Sequence, residues 1–164
     1  MEAVVPDFYS RPDYLTWNSK KSDKERQRAA TDLKQWVGER LQPRGKLSLI
    51  CHRHGGNVAI LATRLDLKID KLILLGVPIR TDYTPDVRNV GILHNVYVPW
   101  DAWQSAGTSE HRRGEGRTLA DTDKVLNYPV MDGVTAGLTG RASSHYELHE
   151  WNVWQKNELD RLLL

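Results

Sequence analysis

Apolar residues come in short bursts along this chain, and the spacing inside each burst changes from place to place. Between Ser22 and Leu41, the residues Ala29, Ala30, Leu33, Trp36, Val37 and Leu41 put one apolar stripe on a helix. Ser22-Asp23-Lys24-Glu25 ahead of the stripe has the capping-box pattern, a serine able to accept from the third helical N–H and a glutamate able to reach back. Pro43 and Gly45 close the segment. Lys46 to Cys51 then reads as a short buried strand, and from Asn57 the pattern turns helical again through Val58, Ala59, Leu61 and Ala62. Leu72 to Leu75 and Ile92 to Val98 are further strand-like runs, closed by Gly76-Val77-Pro78 and by Pro99-Trp100-Asp101. Tyr14 to Trp17 reads as a short edge strand and Val125 to Val130 as a last strand. Residues 104 to 123 read as a long polar loop, and Glu150 to Leu164 as a terminal helix.

Strands alternating with helical segments predict an α/β fold, a mostly parallel sheet of about five strands flanked by helices. Residues 1–13, with Pro6 and Pro12, form an irregular arm, and 14–164 a single domain. In such sheets sites lie at the carboxyl ends of the strands. Here those ends carry His52-Arg53-His54, Pro78 to Tyr83, and Trp100-Asp101.

Composition narrows the function classes. A net charge of +2 with both signs mixed along the chain gives no basic face for nucleic acid. No apolar run approaches the ~20 residues of a membrane span, and the start lacks the basic-then-apolar pattern of a signal peptide. One cysteine, Cys51, makes no internal disulfide. A cytoplasmic protein without a cofactor is the expectation. Cys51, His52, His54 and His94 have the right chemistry for a metal, but residues 52 and 54 flank a turn and should point apart, so no metal is expected. Arg112 and Arg113 read as solvated surface charge.

The turn itself is more informative. A small-x-nucleophile-x-Gly sequence between a strand and a helix lifts its middle side chain above the sheet, and needs small neighbours to do so. Cys51-His52-Arg53-His54-Gly55-Gly56 has that form, with the two glycines letting the helix pack close. The stretch Leu49 to Ala59 resembles the nucleophile elbow of lipase- and esterase-like α/β-hydrolases, which read His-Ser-x-Gly-Gly-Asn-Val-Ala at this place. Val96 to Gln104 looks like the acid loop of that family, with Asp101 as the acid. Ser144 to His149 is similar to its histidine segment, with His145 aligning best, and Leu75 to Arg80 looks like a strand-to-loop step that lines the pocket. The order nucleophile, acid, histidine is that of the family. The resemblance runs over roughly residues 14 to 160 and implies a reduced hydrolase-like fold. It implies a site of Arg53, Asp101 and His145, with the N–H of His54 as one oxyanion donor. Its pocket is implied to contain His52, Pro78, Tyr83, Trp100 and Trp103.

Two departures change what the resemblance implies. Arg53 holds the nucleophile position, and a guanidinium stays protonated and cannot attack a carbonyl, leaving Asp101 and His145 no hydroxyl to activate. Only about 45 residues precede the elbow strand, without the strand ending in His-Gly that supplies the second oxyanion donor in the family, a loss worth about 10²–10³ in rate. Arg53 is expected either to bind an anion at a helix N-terminus or to pair with Asp101 as a structural salt bridge. The leading expectation is a degenerate hydrolase, a pseudoenzyme acting by binding or assembly, with a small ester or anion as ligand. A sheet edge left open should be covered by a partner or a second copy, giving a dimer or larger assembly. The alternatives are an ester hydrolase in which Asp101 and His145 activate water on a substrate held by Arg53, and a variant of an active serine esterase.

Overall fold

Four strands lie side by side in the order in which they occur: β1 (Ser48–His52), β2 (Ile69–Leu75), β3 (Val90–Tyr97) and β4 (Val125–Pro129). Every neighbouring pair is parallel. This computed structural model describes residues 9, 13–18, 22–42, 44–107, 116–136 and 144–164. The fold is therefore α/β, with a parallel sheet of four strands among the described residues where about five were expected. The difference is Tyr14–Trp17, where residues 13–18 form no strand and Trp17 instead packs on the core beside α1.

Period-two alternation assigns the two faces of the sheet. Leu72, Leu74, Leu93 and Val125 pack with the helices α1 (Asp23–Arg40) and α2 (His54–Thr63). Ile73, Leu75 and Val96 point the other way, onto Leu148, Val153, Trp154, Leu159 and Leu162. Helix α2 is buried from Gly56 to Thr63, as befits a helix apolar all round and wedged between α1 and the sheet. α1 starts as its capping box predicts, with Ser22 accepting from the N–H of Glu25, and buries Ala29, Ala30 and Val37.

Two further segments differ from the sequence expectation. The terminal helix is two pieces, Trp151–Lys156 and a 3₁₀ turn at Leu159–Leu163, separated by Glu158 in the left-handed conformation (φ 55°). The polar stretch after residue 101 begins with a short helix, α3 (Ala102–Gly107). Arg112 and Arg113 lie outside the described residues. No helix among the described residues is long and apolar enough to cross a membrane.

The carboxyl ends of the strands line up in register. His52 sits opposite Leu75, and Leu75 opposite Val96. Arg53 N–H donates to the Leu75 carbonyl (3.3 Å) and Gly76 N–H to the Val96 carbonyl (3.0 Å), so the first residues beyond β1, β2 and β3 converge on one rim.

Candidate functional site

Arg53 is the residue between β1 and α2, with φ 52° and ψ −136°. A non-glycine residue held there costs on the order of 1–3 kcal/mol and persists only where its surroundings fix it. Two contacts do so: the Leu75 carbonyl accepts its N–H, and its own carbonyl accepts the Gly56 N–H at 3.0 Å. The helix can leave the turn this tightly because Gly56 lacks a Cβ, which would stand 2.3 Å from Val77 Cγ2. Gly55, expected to share this role, has open space where its Cβ would be.

The turn lifts the Arg53 side chain onto the rim, where Nε donates to His145 Nε2 at 2.7 Å and Nη2 to the Tyr146 hydroxyl at 2.9 Å. His145 is buried on a helical turn at 144–147. That turn is fixed by Glu147, whose carboxylate accepts both the N–H and the hydroxyl of Thr135 (2.6 Å each). Gly76, at φ 55°, leaves room for the imidazole; a Cβ there would come within 3.0 Å of Cε1 and Nδ1. On its other side His145 Nδ1 lies 2.5 Å from Asp101 Oδ2.

Asp101 is fully buried after β3 and its charge is well satisfied. Oδ1 accepts the backbone N–H groups of Trp103 (2.8 Å) and Gln104 (3.3 Å), capping α3, and Gln104 Nε2 ties the same helix to the Val77 carbonyl. Since the guanidinium always donates, His145 Nε2 is the acceptor and Nδ1–H donates to Asp101. Arg53, His145 and Asp101 thus form a chain of hydrogen bonds in that order. The expected Arg53–Asp101 salt bridge is not formed, because His145 stands between the two groups and takes a bond from each side.

His52 joins from β1, its Nε2 3.0 Å from His145 Nε2. Its ring meets His149 edge-on, with centroids 4.2 Å apart. Desolvation, reinforced by His149, His145 and Arg53, drives the His52 pKa down to about 3. Desolvation and the same cationic surroundings lower His149 as well. His149 lies just past the helical turn at 144–147, at the end of the Ser144–His149 segment.

The remaining expected residues divide. Trp103 is at the site, 47% exposed and 5.8 Å from the Arg53 guanidinium carbon. His54 opens α2 directly after the turn, where the oxyanion donor was expected. Pro78 is buried and its carbonyl accepts from Asn57 Nδ2 at 3.2 Å. Two expected pocket residues lie elsewhere. Trp100 packs on the second core cluster and donates to the Thr135 carbonyl (2.9 Å). Tyr83 donates to Asp23 (2.6 Å) and accepts from Arg26, tying the start of α1 to the loop after β2. Both aromatic rings found enough apolar and hydrogen-bonding surface to be absorbed into the scaffold. His94, weighed with Cys51, His52 and His54 as a metal ligand and set aside, faces Tyr128. Cys51 is desolvated, which pushes its thiol up to about 12 and makes it no replacement nucleophile at neutral pH.

A separate cleft of about 460 Å³ opens between residues 79–84 and 116–120, and none of Arg53, Asp101 and His145 lines it. Arg117 borders both places, since its guanidinium donates to the Asp101 carbonyl at 3.0 Å.

Comparison with protein-family models, with curated proteins and with solved structures finds no match for this chain.

Proposed function

We propose that the chain is an α/β-hydrolase-like protein of the lipase/esterase kind, whose acid–histidine pair is retained but blocked, and that it acts by binding or assembly rather than by ester hydrolysis. The observation that carries this reading is the 2.7 Å bond from Arg53 Nε–H to His145 Nε2. A general base must offer that lone pair to the nucleophile's proton. Here it is already engaged by a donor that never deprotonates. The positions support the family reading: the turn residue follows β1, the acid follows β3 and the histidine follows β4.

The reading in which Asp101 and His145 activate water directly needs the same nitrogen, and Arg53 and His52 both occupy its surroundings. The assembly half of the proposal rests on β1, whose residues are half-buried or exposed where β2 and β3 are largely buried. Single-cysteine usage favours a cytoplasmic setting.

Turnover of p-nitrophenyl acetate and butyrate tests the catalytic half. The wild-type rate should equal that of His145→Ala and of buffer. Turnover that disappears in His145→Ala would overturn the reading.

A further inference from the structure

The buried arginines of this protein mostly carry their own counter-ions. Arg26 pairs with Asp23 at 2.7 Å, and Arg80 with Asp82 at 2.9 Å and Asp23 at 3.3 Å. Arg53 differs. Its two bonds go to neutral acceptors, an imidazole nitrogen and a phenol. Among the described residues it makes no ion pair, and its Nη1 finds no protein acceptor. Asp101, the acid at the other end of the hydrogen-bond chain, is satisfied by His145 and two backbone N–H groups. A half-buried cation without a counter-ion is costly unless an anion completes it.

The surroundings specify what kind of anion. Arg53 is the N-cap of the ten-residue α2, so the positive end of that helix adds to the guanidinium. His52 and His149 contribute no charge at neutral pH, since desolvation keeps both unprotonated. With Asp101 engaged by His145 and two backbone N–H groups, the guanidinium of Arg53 is the cation of this cluster, and its single charge matches a monoanion better than a phosphate dianion. Planar N–H groups of a guanidinium also match the two oxygens of a carboxylate. The rings of Trp103 (47% exposed) and Tyr146 (53% exposed) lie near the guanidinium, with centroids 5.8 and 5.0 Å from its carbon. Such rings offer apolar surface to whatever the cation holds.

We propose that Arg53 anchors a binding site for a monocarboxylate with an apolar body, its oxygens on the outward N–H groups and its body against Trp103 and Tyr146. This rests on the non-hydrolytic reading of the same site and adds the ligand's class to it.

Titration calorimetry of the purified chain with hexanoate, hexanamide and inorganic phosphate at pH 7 tests the proposal. Hexanoate should bind at least tenfold more tightly than either of the others. Arg53→Gln should weaken hexanoate at least tenfold, and Trp103→Ala severalfold, with the thermal melt of each variant checking that it is folded. Where Arg53→Gln does not fold, the contrast between hexanoate and its neutral isostere on wild type decides. Equal affinity for hexanoate and hexanamide, tighter binding of phosphate, unchanged hexanoate affinity in folded Arg53→Gln, or no hexanoate binding at millimolar concentration would each overturn it. Ester turnover by wild type would instead strike the non-hydrolytic reading, which the hexanoate titration does not measure.

Discussion

At the scale of single residues, His52 ties the site to the stability of the fold. Its pKa, ordinarily near 6.5, falls to about 3, first through desolvation and then through His149, His145 and Arg53. Between those two values the unfolded chain binds a proton that the folded chain does not. Stability is therefore full above about pH 6.5 and is lost as pH falls toward 3. His149 is shifted in the same direction. Urea unfolding at pH 7, 6 and 5 should show the wild-type midpoint dropping, and His52→Gln should drop less over the same interval. Parallel curves for the two proteins would exclude His52 as the source. This residue's place at the site was legible, because it flanks Arg53 in the turn. The ring contact with His149 was not, since a histidine at the end of the His145 segment has no local pattern that announces a contact with His52.

At the scale of elements, the order strand, turn, helix from β1 to α2 was readable, though α2 starts at His54 rather than Asn57, because a tight turn constrains composition at several successive positions. Cys51, Gly56 and the apolar α2 each answer one steric demand. The segments that were misread lack such constraints. Tyr14–Trp17 alternates like a strand but pairs with none of the four strands among the described residues, and Trp17 finds its burial beside α1 instead. The apolar pattern of Glu150 to Leu164 continues through a break at Glu158, because both pieces bury the same face on the sheet. β1 is the element that carries a prediction. It ends the sheet on one side, and Leu49, Ile50 and Cys51 are half-buried. An edge of this kind pairs readily with another strand. Light scattering at micromolar concentration should give a dimer or larger species, and a monomer would contradict assembly through this edge.

At the scale of the whole molecule, three distant stretches of sequence meet on one rim because parallel strands all end there. The resemblance to lipase- and esterase-like proteins implied a shared site for the three residues. It did not give the pairing. Arg53 bonds to His145 and not to Asp101, since the imidazole lies between them and satisfies both, a result that depends on the reach of the arginine side chain and on the 144–147 turn held by Glu147. The proposal that Arg53 blocks the acid–histidine pair is tested most directly by replacing it. Arg53→Ser should raise p-nitrophenyl butyrate turnover at least tenfold above wild type, and adding His145→Ala should return it to the wild-type level. A folded Arg53→Ser protein with no more turnover than wild type, or with turnover indifferent to His145, would contradict it.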